Sequence, residues 1–385
     1  MIPGSVRLLL VAGKSQTHPG VHPLSALTHT QAFQPLPTPL GEPPYHFDLE
    51  TAVPGIGASS AKAGKLVFHT VGDTGGVQDA SRQTAVADAM IKDLSPSAAV
   101  TSGGDAPSFF YHLGDVVYFN GQITDYYAQF YEPYAQYTAP IISIPGNHDG
   151  DPINSSQKSL DGWVAYFMQG TPHVDPNSHD APRVTMPLPN VYFTLNCPFV
   201  TIVGMYTNVP EGGSIDSAQQ QWLTNEFATA PADKALIVAL HHPIFSFDSF
   251  HSGSARMADA VQNAINDSRR VPNMVLTGHV HNYQRVERLV TGATPTPFMV
   301  AGFGGYHNLH KLNSAIGTTD TATNAKLVAG DDEHWGYLTL AVDANTISGT
   351  VTTAAGTAKA SSDYSDSFSY PAAAQYLSQG AVISL

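Results

Sequence analysis

Lys65 to Asp73 reads KLVFHTVGD, and the reading of this run decides the fold. Leu66, Val67, Phe68 and Val71 do not alternate strictly with polar residues, and no charge follows Lys65 until Asp73. Such a run suits a strand buried on both faces of a sheet covered by helices. It stops abruptly in Gly-Asp. The same shape recurs in SFFYHLGD (Ser108–Asp115), APIISIPGNHD (Ala139–Asp149), KALIVALHHP (Lys234–Pro243) and PNMVLTGHVH (Pro272–His281). Each apolar run hands over to polar residues at its C-terminal end. Open α/β sheets build their sites at that end of their strands.

Helical patterns lie between some of these runs. SRQTAVADAMIKDL (Ser81–Leu94) is one, and DSAQQQWLTNEFATA (Asp216–Ala230) is another, with Asp216 placed as its N-cap. After about residue 290 the pattern turns to strands and turns. WGYLTLAVDANTISGTVTTA (Trp335–Ala354) predicts a hairpin across Asp343–Asn345. Residues 1–60 are rich in Pro, His and Thr, as in QPLPTPLGEPP (Gln34–Pro44), and are expected to hold no regular helix or central strand. They read as an irregular arm laid on the domain, or as partly disordered. The last thirty residues, rich in Ala, Ser and Tyr, give no clear pattern.

The chain has 385 residues, 42% of them apolar, which is enough for one large α/β domain or two smaller ones. Charged residues make up 12% and the net charge is −14. That balance argues against nucleic acid or an anionic membrane held by bulk charge. It leaves an anionic substrate open, because bound cations reverse the local sign. Cys197 is the single cysteine, so neither a disulfide framework nor a thiolate zinc site is expected. LLLVAG (Leu8–Gly13) is short for a signal-peptide core, and no apolar run approaches membrane-spanning length. The chain is expected to be soluble. Export stays open, since a leader can be atypical or already removed.

The strand ends carry Asp73, Asp115 with Tyr118, Asn147 with His148, His241, and His279 with His281. Oxygen and nitrogen donors without sulfur suit Zn, Mn or Fe. There are more donors than one tetrahedral ion takes. Two ions about 3.5–4 Å apart, sharing one carboxylate, need about this many. Asp115 is the candidate bridge, because a carboxylate has two oxygens to divide.

GDTGG (Gly72–Gly76), GDVVY (Gly114–Tyr118), GNHD (Gly146–Asp149), LHHP (Leu240–Pro243) and GHVH (Gly278–His281) resemble, in order, the five blocks of calcineurin-like metallophosphoesterases. The likeness spans roughly residues 65 to 290. It implies an α/β (α+β) fold, a four-layer αββα sandwich of two mixed β-sheets flanked by helices. The catalytic domain would be 61–355, preceded by the 1–60 arm and followed by a 356–385 tail, packed on the domain or partly disordered. Most members have His two residues after the first Asp; here that residue is Gly75. Tyr118 stands three residues after Asp115, where purple acid phosphatases supply a phenolate. The chain is therefore similar to that branch. A phenolate is a hard anionic ligand that favours a ferric ion; the rival reading of Tyr118 is an aromatic packing residue. The Ser/Thr protein phosphatases fit less well, because their second block continues Asp-Arg-Gly where this chain has GDVVYFNG.

The resemblance implies two metal ions. Fe(III) would take Asp73, Asp115, Tyr118 and His281, and Zn, Fe or Mn would take Asp115, Asn147, His241 and His279. His241 stands two before Pro243, as in the family's HxP, so His242 is expected to point to the other face as a hydrogen-bonded core residue. The catalytic candidates are His148 and His251, the latter ten residues beyond His241. Either would hold the phosphate or protonate the leaving alkoxide; the bland reading of His251 is a solvated loop histidine. Asp149 would orient His148, or is a helix N-terminal or surface acid. Tyr306, His307 and His310 are candidates for a pocket rim. The implied activity is hydrolysis of a small-molecule phosphate monoester by attack of a metal-bound hydroxide. A phosphodiesterase or nucleotidase is the alternative, and a metal-binding protein without turnover is the third reading. Frequent export in the family tilts the compartment outward.

Overall fold

The computed structural model describes residues 32–94, 106–292, 294–358 and 363–385. Among them, one mixed sheet runs, in spatial order, through Ser367–Pro371, Thr346–Thr353, Gly336–Asp343, Lys65–Val71, Phe110–His112 and Ile141–Ser143. A second runs through His46–Asp48, Phe193–Asn196, Val200–Gly204, Ala235–Leu240, Met274–Thr277, Pro295–Ala301, Tyr283–Leu289 and Lys326–Asp331. Helices flank the two sheets, as the αββα sandwich requires. All five runs singled out in the sequence are strands. Lys65–Val71, Phe110–His112 and Ile141–Ser143 pair in parallel in the first sheet. Ala235–Leu240 and Met274–Thr277 do so in the second. Their residues are buried almost throughout, as their unbroken apolar character demands. One continuous hydrophobic core takes in side chains of both sheets.

The two predicted helices form over Ser81–Asp93 and Ser217–Thr229, and the Asp216 carboxylate accepts from the Gln219 N–H at 2.8 Å. Gly336–Asp343 and Thr346–Thr353 form the predicted hairpin, and Asp343 Oδ1 accepts from the N–H groups of Asn345 and Thr346 inside its turn. No described helix is long and apolar enough to cross a membrane.

The reading of residues 1–60 as lacking regular structure is too broad. Gln34–Pro44 is irregular, but His46–Asp48 adds an edge strand to the larger sheet and Leu49–Ala52 and Ile56–Ala63 are helical. The edge strand is tied down by buried Glu226, which lies 2.9 Å from His46 Nε2 and accepts from the Thr194 hydroxyl at 2.6 Å. Leu8–Gly13 lies outside the described residues.

The C-terminal segment also holds more order than its composition suggested. Ser367–Pro371 pairs with Thr346–Thr353. Asp366 accepts from Arg285 Nε at 2.8 Å, from Arg285 Nη2 at 3.0 Å and from the Tyr283 hydroxyl at 2.7 Å. A two-pronged ion pair largely screened from water is costly to break from one side. Asp366→Ala is expected to lower the unfolding free energy by roughly 3 kcal/mol, read as a lower urea midpoint. An unchanged midpoint would show that the Arg285–Asp366 pair adds nothing to stability.

Candidate metal centre

The parallel strands bring their C-terminal ends to one edge, and the polar clusters meet there. Asp73 and Asp115 each follow a strand, and His279 follows a third. All three adopt left-handed backbone, with φ of 57°, 54° and 68°. Non-glycine residues in that region cost about 1 kcal/mol or more each, a strain typical of sites. Here it turns each chain end sharply so that the side chain faces the gap between the sheets. Backbone bonds weld the turns together: Asp73 N–H donates to Gly114 O, Gly278 N–H to His241 O, and His279 N–H to Asp73 Oδ2.

Two groups of donors result. In the first, the Tyr118 hydroxyl lies 3.0 Å from Asp73 Oδ1 and 3.2 Å from His281 Nε2. In the second, Asn147 Oδ1 is 3.1 Å from His241 Nε2 and 3.0 Å from His279 Nδ1. Asp115 joins them. Its Oδ1 accepts from the His148 N–H at 2.9 Å, and its Oδ2 lies 3.3 Å from His241 Nε2. Donor atoms of Asp73, Asp115 and His241 all fall within 4.8 Å of one another.

The histidine tautomers follow from backbone carbonyls. His241 Nδ1 is 2.8 Å from Leu113 O, His281 Nδ1 is 3.2 Å from Asn308 O and His148 Nδ1 is 2.9 Å from Phe119 O. Each carbonyl takes the Nδ1–H, which fixes Nε2 as the nitrogen turned away from the backbone. His279 is turned the other way, with Nδ1 facing inward.

Burial, outweighing its neighbours, holds His281 well below the usual range and His279 at about 4, so both are neutral donors. Burial opposes the charge on His241 as well, but the Asp115 carboxylate outweighs it and raises the imidazole to about 9. Burial, reinforced by the charge of Asp115, raises Asp73 well above the carboxylate range. Asp115 itself is lowered despite burial, by His241 and His148. Two adjacent buried carboxylates thus hold protons and histidine charge in place of a cation. Asp115 Oδ2 and His279 Nε2 are buried without a hydrogen-bond partner. This donor set of hard oxygen and imidazole nitrogen, with an unsatisfied carboxylate oxygen at its centre, fits two metal ions.

A cleft of about 270 Å³ opens over Asp115, Asn147, His279 and His281, and His148 and His251 are on its wall. His251 Nδ1 lies 3.1 Å from Glu211 Oε1, a residue that belongs to none of the five motif blocks. One expectation needs correction in part. His242 is a buried residue hydrogen-bonded through Nδ1 to the Thr207 hydroxyl at 2.7 Å, as expected, but it does not point to another face: its ring packs 4.3 Å from that of His279. Of the readings of Asp149, the helix N-terminal one holds: it stands in the first turn of Asn147–Gly150 and accepts from Gly146 N–H at 2.8 Å and Val116 N–H at 3.0 Å. It thereby lashes the Asn147 turn to the Asp115 loop. The candidate rim packs on the donors: Tyr306 lies 4.3 Å from both Tyr118 and His281, and His310 lies 4.5 Å from His281.

A comparison with curated proteins returns no match. Among solved structures, the chain is similar to a purple acid phosphatase isolated from yellow lupin (Lupinus luteus) seeds, with 18% identity and a TM-score of 0.57. The likeness covers 79% of this chain and 53% of the lupin protein, so the chain spans about half of that protein's length. It is also similar to GAP50, the anchor in the inner membrane complex of Plasmodium, at 12% identity and a TM-score of 0.55, over 81% of this chain and 90% of that one. Likenesses at these identities speak to the fold. The five strand ends and their donors fall within residues 66–283, the stretch matched by the calcineurin-like phosphoesterase model. That stretch is more than half of the chain, and the chain belongs to the calcineurin-like phosphoesterase family.

Proposed function

We propose that the chain is a two-metal phosphoesterase of the purple acid phosphatase type, hydrolysing phosphate monoesters. The observation that carries this reading is steric. A Cβ at Gly75 would lie 2.8 Å from Tyr118 Cδ2 and 2.4 Å from Gln129 Oε1. A side chain two residues after Asp73 and the Tyr118 ring compete for one space, so the missing histidine and the added phenol are two sides of one substitution. The phenol lies against Asp73 and His281 rather than in the apolar core, which supports a ligand over a packing residue. Fold alone does not decide turnover, since a similar fold serves as an anchor in GAP50; the donor set at the strand ends favours an enzyme.

Asp73, Asp115, Tyr118 and His281 would hold Fe(III), and Asp115, Asn147, His241 and His279 would hold Zn, Fe or Mn. When bound, such a pair neutralises phosphoryl oxygens and brings the pKa of water into the working range. The chain supplies the rest. Asp115 sets the spacing of the two groups. Asn147 and the imidazoles present lone pairs without adding charge. His148 and His251 face the cleft, where either protonates the leaving alkoxide or holds a phosphoryl oxygen.

The test is phosphate release from an aryl monoester and from a diester across pH, with metal content measured on the same sample. Monoester preference, an acid optimum and bound iron support the reading. Diester preference near neutral pH without iron would replace it with a phosphodiesterase. Two ions without hydrolysis of either ester would leave a metal-binding protein. In the iron-loaded protein, Tyr118→Phe is expected to remove the visible absorption of a tyrosinate–iron contact. Loss of that charged contact, about 3 kcal/mol, should lower turnover by about 10²-fold. Unchanged absorption would make Tyr118 a packing residue.

A further inference from the structure

Glu211 touches both sides of the cleft. Its Oε1 lies 3.1 Å from His251 Nδ1 and 3.6 Å from His279 Nε2, and the two rings are 4.5 Å apart. We propose that Glu211 is a positioning residue that braces His279 as a donor to the second ion and orients His251 toward the substrate. The inference rests on the two-ion reading for the role of His279.

The reversed orientation of His279 creates the need. His241 and His281 each donate from Nδ1 to a main-chain carbonyl. The backbone of His279 is held by its N–H bond to Asp73 Oδ2 at 2.8 Å, and its Nδ1 faces Asn147. A neutral imidazole that offers Nδ1 to an ion carries its proton on Nε2. That nitrogen is buried and has no hydrogen-bond partner. Glu211 Oε1 is the carboxylate oxygen beside it, and a sub-ångström approach would close the bond. A carboxylate behind a ligating imidazole fixes its tautomer and raises its basicity.

The same oxygen acts on His251. Its backbone is held by an N–H bond to Asp248 Oδ2 at 2.7 Å and by its carbonyl accepting from Ser246 Oγ. With Nδ1 turned to Glu211, its Nε2 is left for the cleft. The loop that carries Glu211 is itself built in. Gly212 O accepts from Ser254 Oγ, Gly213 O accepts from Arg256 Nη1 at 3.3 Å, and Ser214 N–H donates to Thr207 O at 2.7 Å. A carboxylate at the mouth of an anion site repels substrate. Its placement is explained if it serves the two histidines.

The experiment compares full-length wild type, Glu211→Ala and Glu211→Gln. Each holoprotein is dialysed against a graded chelator and the ions retained per chain are counted. In Glu211→Ala, retention of one of the two ions is expected to weaken about 10–100-fold, with the other unchanged. Glu211→Gln, which keeps an acceptor oxygen, should recover part of it. Turnover of an aryl phosphate should fall in kcat by a similar factor while KM stays level or drops, since repulsion is relieved. Wild-type retention of both ions in Glu211→Ala, with a matching thermal melt, overturns the proposal. So does a third ion per chain that the substitution removes, which would make Glu211, His251 and His279 an ion site of their own. Because retention is read without turnover, a protein that hydrolyses no ester leaves this result standing while removing the proposed activity.

Discussion

Asp115→Asn is expected to abolish turnover, by on the order of 10³-fold or more, while leaving the fold intact. The loss follows from charge and bridging, since the amide has nearly the same shape. Asparagine keeps an oxygen for the His148 N–H that now bonds Oδ1 at 2.9 Å. It loses the second anionic oxygen, the one that lies beside His241 without a hydrogen-bond partner. If that oxygen joins the two ion sites, the amide separates them. Several kcal/mol of electrostatic stabilisation by a paired site is then lost, and each 1.36 kcal/mol is tenfold in rate. At equal free metal, ions per chain should fall from two toward one. The ion-free protein should lose stability too. There the Asp115 charge is what raises His241 and is itself lowered by it, so the amide leaves a buried imidazolium without its partner. In chelator, Asp115→Asn is expected to unfold at a lower urea concentration than wild type. The gap should widen in the metal-loaded proteins, because ions that bind only the folded state stabilise it by mass action. Near-wild-type turnover with both ions bound would refute the bridge.

Much of this was legible because the site is written in short blocks. Four of the five blocks are an apolar strand followed by a glycine turn and a donor, in the fifth His241 follows the strand directly, and both halves of that pattern are local. Lys65–Val71 and Met274–Thr277 could be read as buried strands, and Asp73, His279 and His281 as the residues just past them, without knowing which strands pair. What escaped depends on long-range placement or on weak local signals. Glu211 lies in NVPEGG, a loop with no donor spacing, and it meets His251 forty residues away. The burial of Asp149 is set by backbone amides at 116 and 146, and a carboxylate in GNHD reads equally well as a surface acid. The HxP spacing singled out His241 but could not place the next ring: the strand ends at Leu240, so its alternation does not govern His242, which leans on His279. Ser367–Pro371 does alternate, with Phe368 and Tyr370 inward, and that period-two signal was there to be found in SFSYP. The helices of 49–63 form under a Pro-rich preface whose composition masked them.

Gly146→Ala should be severely damaging for a single methyl group. Gly146 has φ of −95°, which any residue adopts, so conformational freedom is not what fixes it as glycine. Space is. A Cβ there would lie 2.1 Å from Asp115 Oδ1, 2.3 Å from Asp115 N and 2.8 Å from Asp115 Cγ. None of these can swing aside as a flexible chain end would. The amide nitrogen belongs to a left-handed residue whose neighbour Gly114 is already pressed against Gly146. The carboxylate is held by the His148 N–H on one side and His241 on the other. Relief must come from parting the Asn147 turn from the Asp115 loop. That stretches the bonds from Gly146 and Val116 to buried Asp149 as well. Overpacking of this kind costs about 3 kcal/mol, visible as a lower urea midpoint. A displacement near 1 Å at a donor costs about 10² in rate. The damage should be lopsided. Asp115 and Asn147 move, whereas Asp73 and His281 hang from other elements, and Tyr118, though carried by the Asp115 loop, is held to both of them through its hydroxyl. Gly146→Ala is therefore expected to retain one ion, with the visible absorption of the Tyr118 site if that ion is iron, and to lose the other along with turnover. Loss of both ions together would show that the Asp115 loop, rather than Asp73 and His281, carries the first site. Retention of both with full turnover would show that the two turns have room to part.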